Sequence, residues 1–513
     1  MLIFRVNGAF CEFLPEINYQ KLVKIIFAAK VLLIFHICKY FREKSANCRQ
    51  TPTFYMWSAL EESVIFCTKS CTFQKIVVSL RRFLIWVIVY LYFLFIRIAA
   101  LFGHRKARAL VKGQQSALAE MTNKQSAVTN CIWFHAASVG EFEQARPLIE
   151  RLRREQPKQK IVLTFFSPSG YEMRKNYDQV DKVLYLPFAT RRNARKFIAA
   201  LQPKMAIFVK YEFWPAYLRE LKKRNIRTYS ISAIFRPGQL FFLPWGKIHL
   251  SLLKCFTHIF VQDEASYKLL QKHGIKDCSV AGDTRFDRMR EVIDHRKQLP
   301  VVEEFIKGAD RVIVAGSTWP KDEELLVRFM RMKSDSWTTQ ENCKLILVPH
   351  EINEEHMHLI FQMLQGRMVR YSVVSEQLST NANNVSTASV ENILHLAQVL
   401  VVDTMGLLSS LYPYGQVAYV GGGFGAGIHN TIEAAAYGIP VIFGPKYHHF
   451  REAKGLIAAG ASRSIKNYKQ LEAALNEALE CHKEMGDKAA SYVATETGAS
   501  EKIYAQLFAN RKS

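Results

Sequence analysis

CIWFHAASVGEFEQARPLIERL, residues 131 to 152, decides the architecture. A short apolar run closes on small and polar residues, as a buried strand does, and an amphipathic stretch with helical spacing follows at once. The same couplet recurs at KIVLTFFS (160–167), KVLYLPF (182–188), MAIFVKYE (205–212), RTYSISA (227–233) and HIFVQ (258–262). Strand runs separated by amphipathic stretches predict a parallel sheet with crossover helices. After a charged segment from Arg285 to Asp310 the pattern restarts with RVIVAGS (311–317), KLILVPH (344–350), VLVVDT (399–404), VAYVGG (417–422) and PVIFGP (440–445). The restart predicts an α/β protein with two Rossmann-like doubly wound domains, over 120–295 and 296–513, with the Ser/Thr/Asn-rich stretch Ser375–Asn392 as an exposed loop of the second. Ligands of such sheets collect at the carboxyl ends of strands, and a cleft between two of them is the natural site.

Working outward, residues 1–78 show no clear alternation of strand and helix signals and read as an N-terminal extension. Residues 79–115 read as a membrane anchor helix with a basic flank. Phe83 to Ile96 are uninterruptedly apolar, Arg81 and Arg82 precede them, Arg105, Lys106, Arg108 and Lys112 follow, and no acidic residue occurs between Glu62 and Glu120. The run is shorter than the roughly 20 residues that span a bilayer. A tilted span with Arg97 snorkelling to the headgroups and a deeply seated interfacial helix both fit. A buried core helix is the plainer alternative, against which the aromatic content and basic flanks speak.

With 49% hydrophobic and 22% charged residues, the chain has the material for ordinary cores and is neither disordered nor wholly membrane-embedded. Its net charge of +24 calls for an anionic partner: a nucleic acid, an acidic membrane surface or a phosphorylated substrate. No nucleic-acid-binding module is recognisable, so nucleic acid is not expected as a partner. Five of the ten cysteines fall within the first 71 residues and the rest lie far apart, so free thiols are expected and neither a metal site nor a cofactor.

The residues suited to chemistry sit at strand ends. The turn after the first strand carries Ser138, Gly140 and Glu141, where backbone N–H groups can face a ligand and the carboxylate can act as a general base. The plainer reading is a first-turn glutamate favoured by the helix dipole. Glu212 leaves the fourth strand ahead of Phe213, Trp214 and Pro215, either as a second carboxylate of the cleft or as a cap beside core aromatics. Arg285 could face the anionic part of a nucleotide sugar or form an interdomain ion pair with a nearby Asp. In the second half Ser317 and Thr318, then Pro349 and His350, suit contacts to phosphate or base; Asp403, Thr404, Met405 and Gly406 come next. The run Gly421 to Glu433 brings many glycines between a strand and a helix, an arrangement that lets phosphates approach the backbone, and Glu433 stands where a carboxylate can bind ribose hydroxyls. The G-x-G-x-x-G fingerprint of dinucleotide enzymes near an N-terminal strand is absent.

HAASVGE, YEFWP, GDTRFD, GST, DTMG and GIHNTIEAAAYGIPVIFGP, in this order, resemble the 3-deoxy-D-manno-octulosonate (Kdo) transferases over roughly Arg81 to the C-terminus. The resemblance implies a glycosyltransferase B fold without catalytic metal, inverting transfer from CMP-Kdo, and a lipid A precursor as acceptor at the cytoplasmic face of the inner membrane, an anionic surface. It implies Glu141 as the base, Glu212 and Arg285 as transition-state stabilisers, and CMP held near Pro349 and His350, Met405, Gly406 and Leu407, and Asn430, Thr431, Ile432 and Glu433. Two departures stand out: Leu407 where many relatives have Glu, and no arginine beside the Pro349–His350 pair. A membrane-associated transferase of the same fold using a UDP-sugar is the alternative.

Overall fold

The structure, a computed structural model, describes residues 93–122, 128–243, 246–336, 342–365, 367–380 and 387–508. The expected extension and the apolar run as far as residue 92 lie outside these. The chain forms two compact units. One comprises the described residues up to Gly282 and those from Ser500, and the other runs from Asp283 to Ala499. The division therefore falls ahead of the expected 295–296, and the last helix returns to the first unit.

The first unit is built on seven parallel strands: β1 (Ile132–Ala136), β2 (Ile161–Phe165), β3 (Lys182–Tyr185), β4 (Met205–Val209), β5 (Arg227–Ala233), β6 (His258–Val261) and β7 (Cys278–Val280). Their order is β3-β2-β1-β4-β5-β6-β7. Alternate residues of β1 enter opposite layers, Ile132, Phe134 and Ala136 into one cluster and Trp133 into the other. A sheet covered on both faces is why the strands read as near-continuous apolar runs. The last helix, Ala499–Phe508, supplies Ile503, Tyr504, Leu507 and Phe508 to the first of these layers. The chain order reverses between β1 and β4, which opens the sheet's carboxyl edge there.

The second unit repeats the plan with β8 (Arg311–Thr318), β9 (Cys343–Pro349), β10 (Met368–Arg370), β11 (Val399–Val401), β12 (Val417–Val420), β13 (Val441–Phe443) and β14 (Ser462–Ser464). The order is β10-β11-β9-β8-β12-β13-β14, again all parallel, with the reversal between β8 and β12. The expected loop Ser375–Asn392 is instead largely helical, over Tyr371–Thr380 and Thr387–Leu396. Val374, Val390 and Leu394 are drawn into the core, and this burial overrides the polar composition.

The described end of the apolar N-terminal run, residues 93–101, is helical. Phe93, Ile96 and Ala100 pack on the first unit, whereas Leu94, Phe95, Ile98, Leu101 and Phe102 are exposed. Arg97 lies 5.8 Å from the centroid of the Phe188 ring rather than extended away from the protein. Among the described residues no helix is long and apolar enough to cross a membrane.

Candidate functional site

At the carboxyl edge of the first unit β1 hands over to the helix Val139–Glu155, with Ser138 as N-cap. The Ser138 hydroxyl makes no capping bond; Glu141 reaches back instead, and its Oε2 accepts the Ala137 N–H at 2.6 Å. A carboxylate at this position satisfies an orphan helix-start donor and complements the dipole, so the plainer structural role is real. Glu141 is also almost entirely buried. Burial, then the neighbouring Glu212, push its carboxyl up to about 8, with Lys210 acting in the opposite sense. Gly140 is exposed, and nothing but the Ser138 hydroxyl lies near where its Cβ would stand.

The exit of β4, the strand beside β1, supplies the second carboxylate. Lys210 adopts a left-handed φ of 56°, unusual for a residue with a side chain, and the turn it makes folds Glu212 back under the sheet edge. Glu212 is wholly buried. Its Oε2 lies 3.0 Å from His135 Nε2 and takes the Trp214 indole N–H at 2.6 Å. Burial pushes this carboxyl up to about 8 as well, and pushes His135 down to about 4. Phe213 packs in the core against Phe235, Phe241 and Phe256. Trp214 is only partly buried and points its polar atom into the acid cluster. Sequence reasoning quoted His135 in a motif but gave it no role; its in-register pairing with Thr164 on β2 is what turns it toward Glu212.

The second unit brings together different groups. Ser317, at the end of β8, has a left-handed φ of 53°, and its carbonyl would be 2.3 Å from a Cβ on Gly421. The two turns thus touch through a glycine. Gly423 meets Gly444 as closely, its Cβ position lying 2.6 Å from that Cα. Asp322, missed in the sequence, ties this edge together: its carboxylate accepts the Trp319 N–H at 3.0 Å, the Gly422 N–H at 2.9 Å and the Tyr419 hydroxyl at 2.7 Å. Thr318 is turned inward, donating to Glu323 at 2.9 Å. Pro349 ends β9, and exposed His350 stacks on Trp319 and His429, with centroids 4.9 and 4.4 Å away. The Trp319 indole donates to His429 Nε2 at 3.0 Å, and burial, with His350 second, pushes His429 down to about 4.

The remaining expected residues divide. Asp403 is taken by Arg370 at 2.7 Å and by Ser372. Met405 is exposed, Gly406 is left-handed at φ 81°, and Leu407 is buried in the core. Asn430 donates to Glu433 at 2.9 Å, Ile432 is core, and Thr431 is buried with its hydroxyl unpartnered. Arg285 is held within its own unit by Asp283 at 2.7 Å and Glu452 at 3.0 Å. Burial works against its charge, but the two carboxylates overcome this and hold the guanidinium above its ordinary value. Among the described residues no group of three or more His, Cys, Asp or Glu is placed to hold a metal ion.

Two seven-stranded parallel sheets, each with its polar turns at the carboxyl edge of a chain reversal, define a two-unit doubly wound α/β protein. In fold it is similar to the UDP-GlcNAc 2-epimerase of Neisseria meningitidis, with a TM-score of 0.51 at 15% identity over 74% of this chain and 100% of that one. Residues 107–288 match the family model of the 3-deoxy-D-manno-octulosonic-acid (Kdo) transferases. The chain is 29% identical over 368 residues to the 3-deoxy-D-manno-octulosonic acid transferase of Aquifex aeolicus, covering 70% of this chain and 90% of that one. It is 25% identical over 380 residues to the enzyme of the same name from Rickettsia prowazekii, covering 72% and 74%. Over most of its length the chain is thus similar to Kdo transferases, and it is a glycosyltransferase.

Proposed function

We propose that the protein transfers Kdo from CMP-Kdo to a lipid A precursor, releasing CMP, as a step in building the lipopolysaccharide core. The observation that carries this reading is Glu141, a nearly buried carboxylate at the carboxyl edge of β1 whose affinity for a proton is raised to about 8. A general base works best when its pKa lies near the working pH, and proton removal of this kind contributes typically about 10²–10⁴-fold. Glu141 takes the proton of the acceptor hydroxyl as that oxygen bonds to the anomeric carbon; the bond from that carbon to the CMP oxygen breaks, and its electron pair leaves with the phosphate. The transition state is oxocarbenium-like, as in other glycosyl transfers. CMP is a competent leaving group, so the step requires neither a strong acid nor a metal ion. Inversion at the anomeric carbon follows from direct displacement.

The second unit would hold the cytidine nucleotide. Its turns at Ser317–Thr318 and Gly421–Gly423 bring backbone together so closely that only glycine fits, a bare edge that lets a phosphate approach the chain. The rings of Trp319, His350 and His429 offer a stacking surface for a base, and Met405–Gly406 and Asn430–Glu433 complete the donor side. Arg285 serves this unit by fixing the helix that carries Glu452 rather than by meeting phosphate in the state described here.

We further place the enzyme on the cytoplasmic face of the inner membrane. The exposed Leu94, Phe95, Leu101 and Phe102, followed by exposed Arg105, Lys106 and Arg108, suit insertion at an anionic lipid surface. The deciding experiment incubates purified protein with CMP-Kdo and a tetra-acylated lipid A precursor and weighs the products. A mass increase by whole Kdo units supports the reading; transfer from a UDP-sugar instead, or no transfer, sinks it.

A further inference from the structure

The atoms around His135 permit a proton count. His135 is fully buried on β1, and its Nδ1 lies 3.1 Å from the Thr164 carbonyl and 2.9 Å from the Thr164 hydroxyl. A carbonyl only accepts. The hydroxyl accepts the Trp133 indole N–H at 2.9 Å and donates its own proton to the Phe134 carbonyl at 3.3 Å. Nδ1 therefore faces two acceptors and carries a hydrogen. On the other side of the ring, Nε2 stands 3.0 Å from Glu212 Oε2, and the Trp214 indole N–H lies 2.6 Å from that oxygen and 3.0 Å from Nε2. The indole supplies one proton to this triangle. Without a second one between Nε2 and Oε2, a lone pair would face a buried negative oxygen across a hydrogen-bonding distance.

We infer that His135 and Glu212 share a single proton and together carry no net charge, and that through this pair His135 is a positioning residue that sets when Glu141 becomes a base. Glu212 acts in this account through Glu141, not by touching the sugar. The inference rests on the transfer reaction proposed above. In a dry site a neutral acid donating to a neutral imidazole is preferred to an ion pair, because desolvation penalises both charges. The opposite shifts of the two groups, His135 down and Glu212 up, agree with the proton residing on Glu212. A negative Glu212 is, after burial, the second cause of the raised Glu141 carboxyl, since two nearby carboxylates do not ionise together, and a neutral pair relieves that part of the rise. The other groups facing Glu141 are Lys210, which favours its charge, and Tyr211, whose hydroxyl accepts from Arg236 at 3.3 Å and whose proton burial holds more tightly, with Asp263 acting in the same sense.

Four variants test this. Glu212→Gln presents an amide N–H to His135 and remains neutral at every pH. It is expected to retain transfer to within about tenfold of the parent with the acidic limb of the kcat profile in place, while Glu212→Ala loses more. His135→Phe removes the acceptor but leaves the Trp214 donor, so Glu212 ionises more readily and the acidic limb moves to higher pH by about one unit, with KM for CMP-Kdo unchanged. Trp214→Phe withdraws a donor that favours ionised Glu212; because the pair is already uncharged, the limb is expected to stay in place, as in Glu212→Gln. A merely structural role for His135 would lower the rate at all pH values and leave the limb where it was, which overturns the inference. So does a Glu212→Gln protein that is folded by circular dichroism and as inactive as Glu212→Ala. Infrared difference spectra without substrate give a readout independent of activity: a carboxylic-acid carbonyl band at neutral pH, lost in Glu212→Gln, supports the shared proton, and its absence in the parent overturns it. If that band is present but no Kdo is transferred by the parent protein, the charge count stands and the transfer reading is what fails.

Discussion

The two units use one sheet plan and equip it with opposite chemistry. At the reversal of the first sheet, side chains do the work: Glu141, Glu212 and His135 are buried together, and each has its proton affinity displaced by the missing water. At the reversal of the second, backbone and rings dominate, with glycines meeting strand ends closer than any Cβ allows and a stack of Trp319, His350 and His429 above them. A carboxylate cluster is suited to taking up a proton and poorly suited to gripping an anion. N–H groups and rings are suited to a nucleotide and cannot remove a proton. On the function proposed above, the same switch-point geometry is divided into a reactive half and a holding half, and each variant below acts on one half only.

The largest expected effect comes from removing the base. Glu141→Gln keeps shape and hydrogen-bonding capacity but cannot accept a proton, and transfer should fall by about 10²–10⁴-fold while calorimetric binding of CMP stays near the parent value. Equal loss of binding and turnover would erase the distinction between halves. The reverse variant is Gly421→Ala. Its Cβ would sit 2.3 Å from the Ser317 carbonyl, an approach neither backbone can relieve locally. Overpacking of this kind costs about 1–3 kcal/mol, so CMP affinity and the unfolding midpoint of the second unit should both drop.

The pH dependence of stability separates the halves in another way. An ordinary glutamate ionises near 4.5, whereas folded Glu141 holds its proton up to about 8. The native state thus keeps a proton that the unfolded chain gives up. The stability associated with that proton is fully present below 4.5 and is lost as the pH rises toward 8. Glu141→Gln should match the parent at pH 4 and exceed it at pH 9, by about 2–4 kcal/mol at most, in urea unfolding of the first unit. The rate runs the other way: transfer by the parent enzyme should climb as Glu141 ionises, so the pH of best activity lies above that of best stability.

Much of this was legible in the chain. Six of the seven strands of the first sheet follow the runs read in the sequence, because buried parallel strands are continuously apolar. The misses were β7, β10 and β14, each three residues long and only partly buried, too short for any period to register. Glu141 and Glu212 could be placed by their position after strands that turn out to be neighbours. His135 could not be given a task, since its partner lies 77 residues away and only the sheet order brings them together. Asp322 was equally silent: an acidic residue early in a helix reads as a dipole partner, and its bond to Gly422 depends on β8 lying beside β12. The ion pair expected for Arg285 across the two domains is instead made inside the second unit, with Asp283 and with Glu452, the latter beyond the reach of any local pattern.

The smallest expected effect sharpens the comparison most, because it asks whether rings can substitute for charge in the holding half. No arginine stands beside the Pro349–His350 pair, and His350 is stacked on Trp319 and His429. If its contribution is stacking, His350→Ala should weaken CMP binding by only about threefold to tenfold, in line with an aromatic contact. His350→Phe should then recover most of that loss, and the affinity should change little between low and moderate salt. If His350 acts as a cation on phosphate, Phe will not rescue, Arg will bind better than the parent, and affinity will fall with rising salt. Calorimetry of CMP on the three variants at two ionic strengths decides between them, and the first outcome would mean that the second unit holds its nucleotide at this position with an uncharged surface.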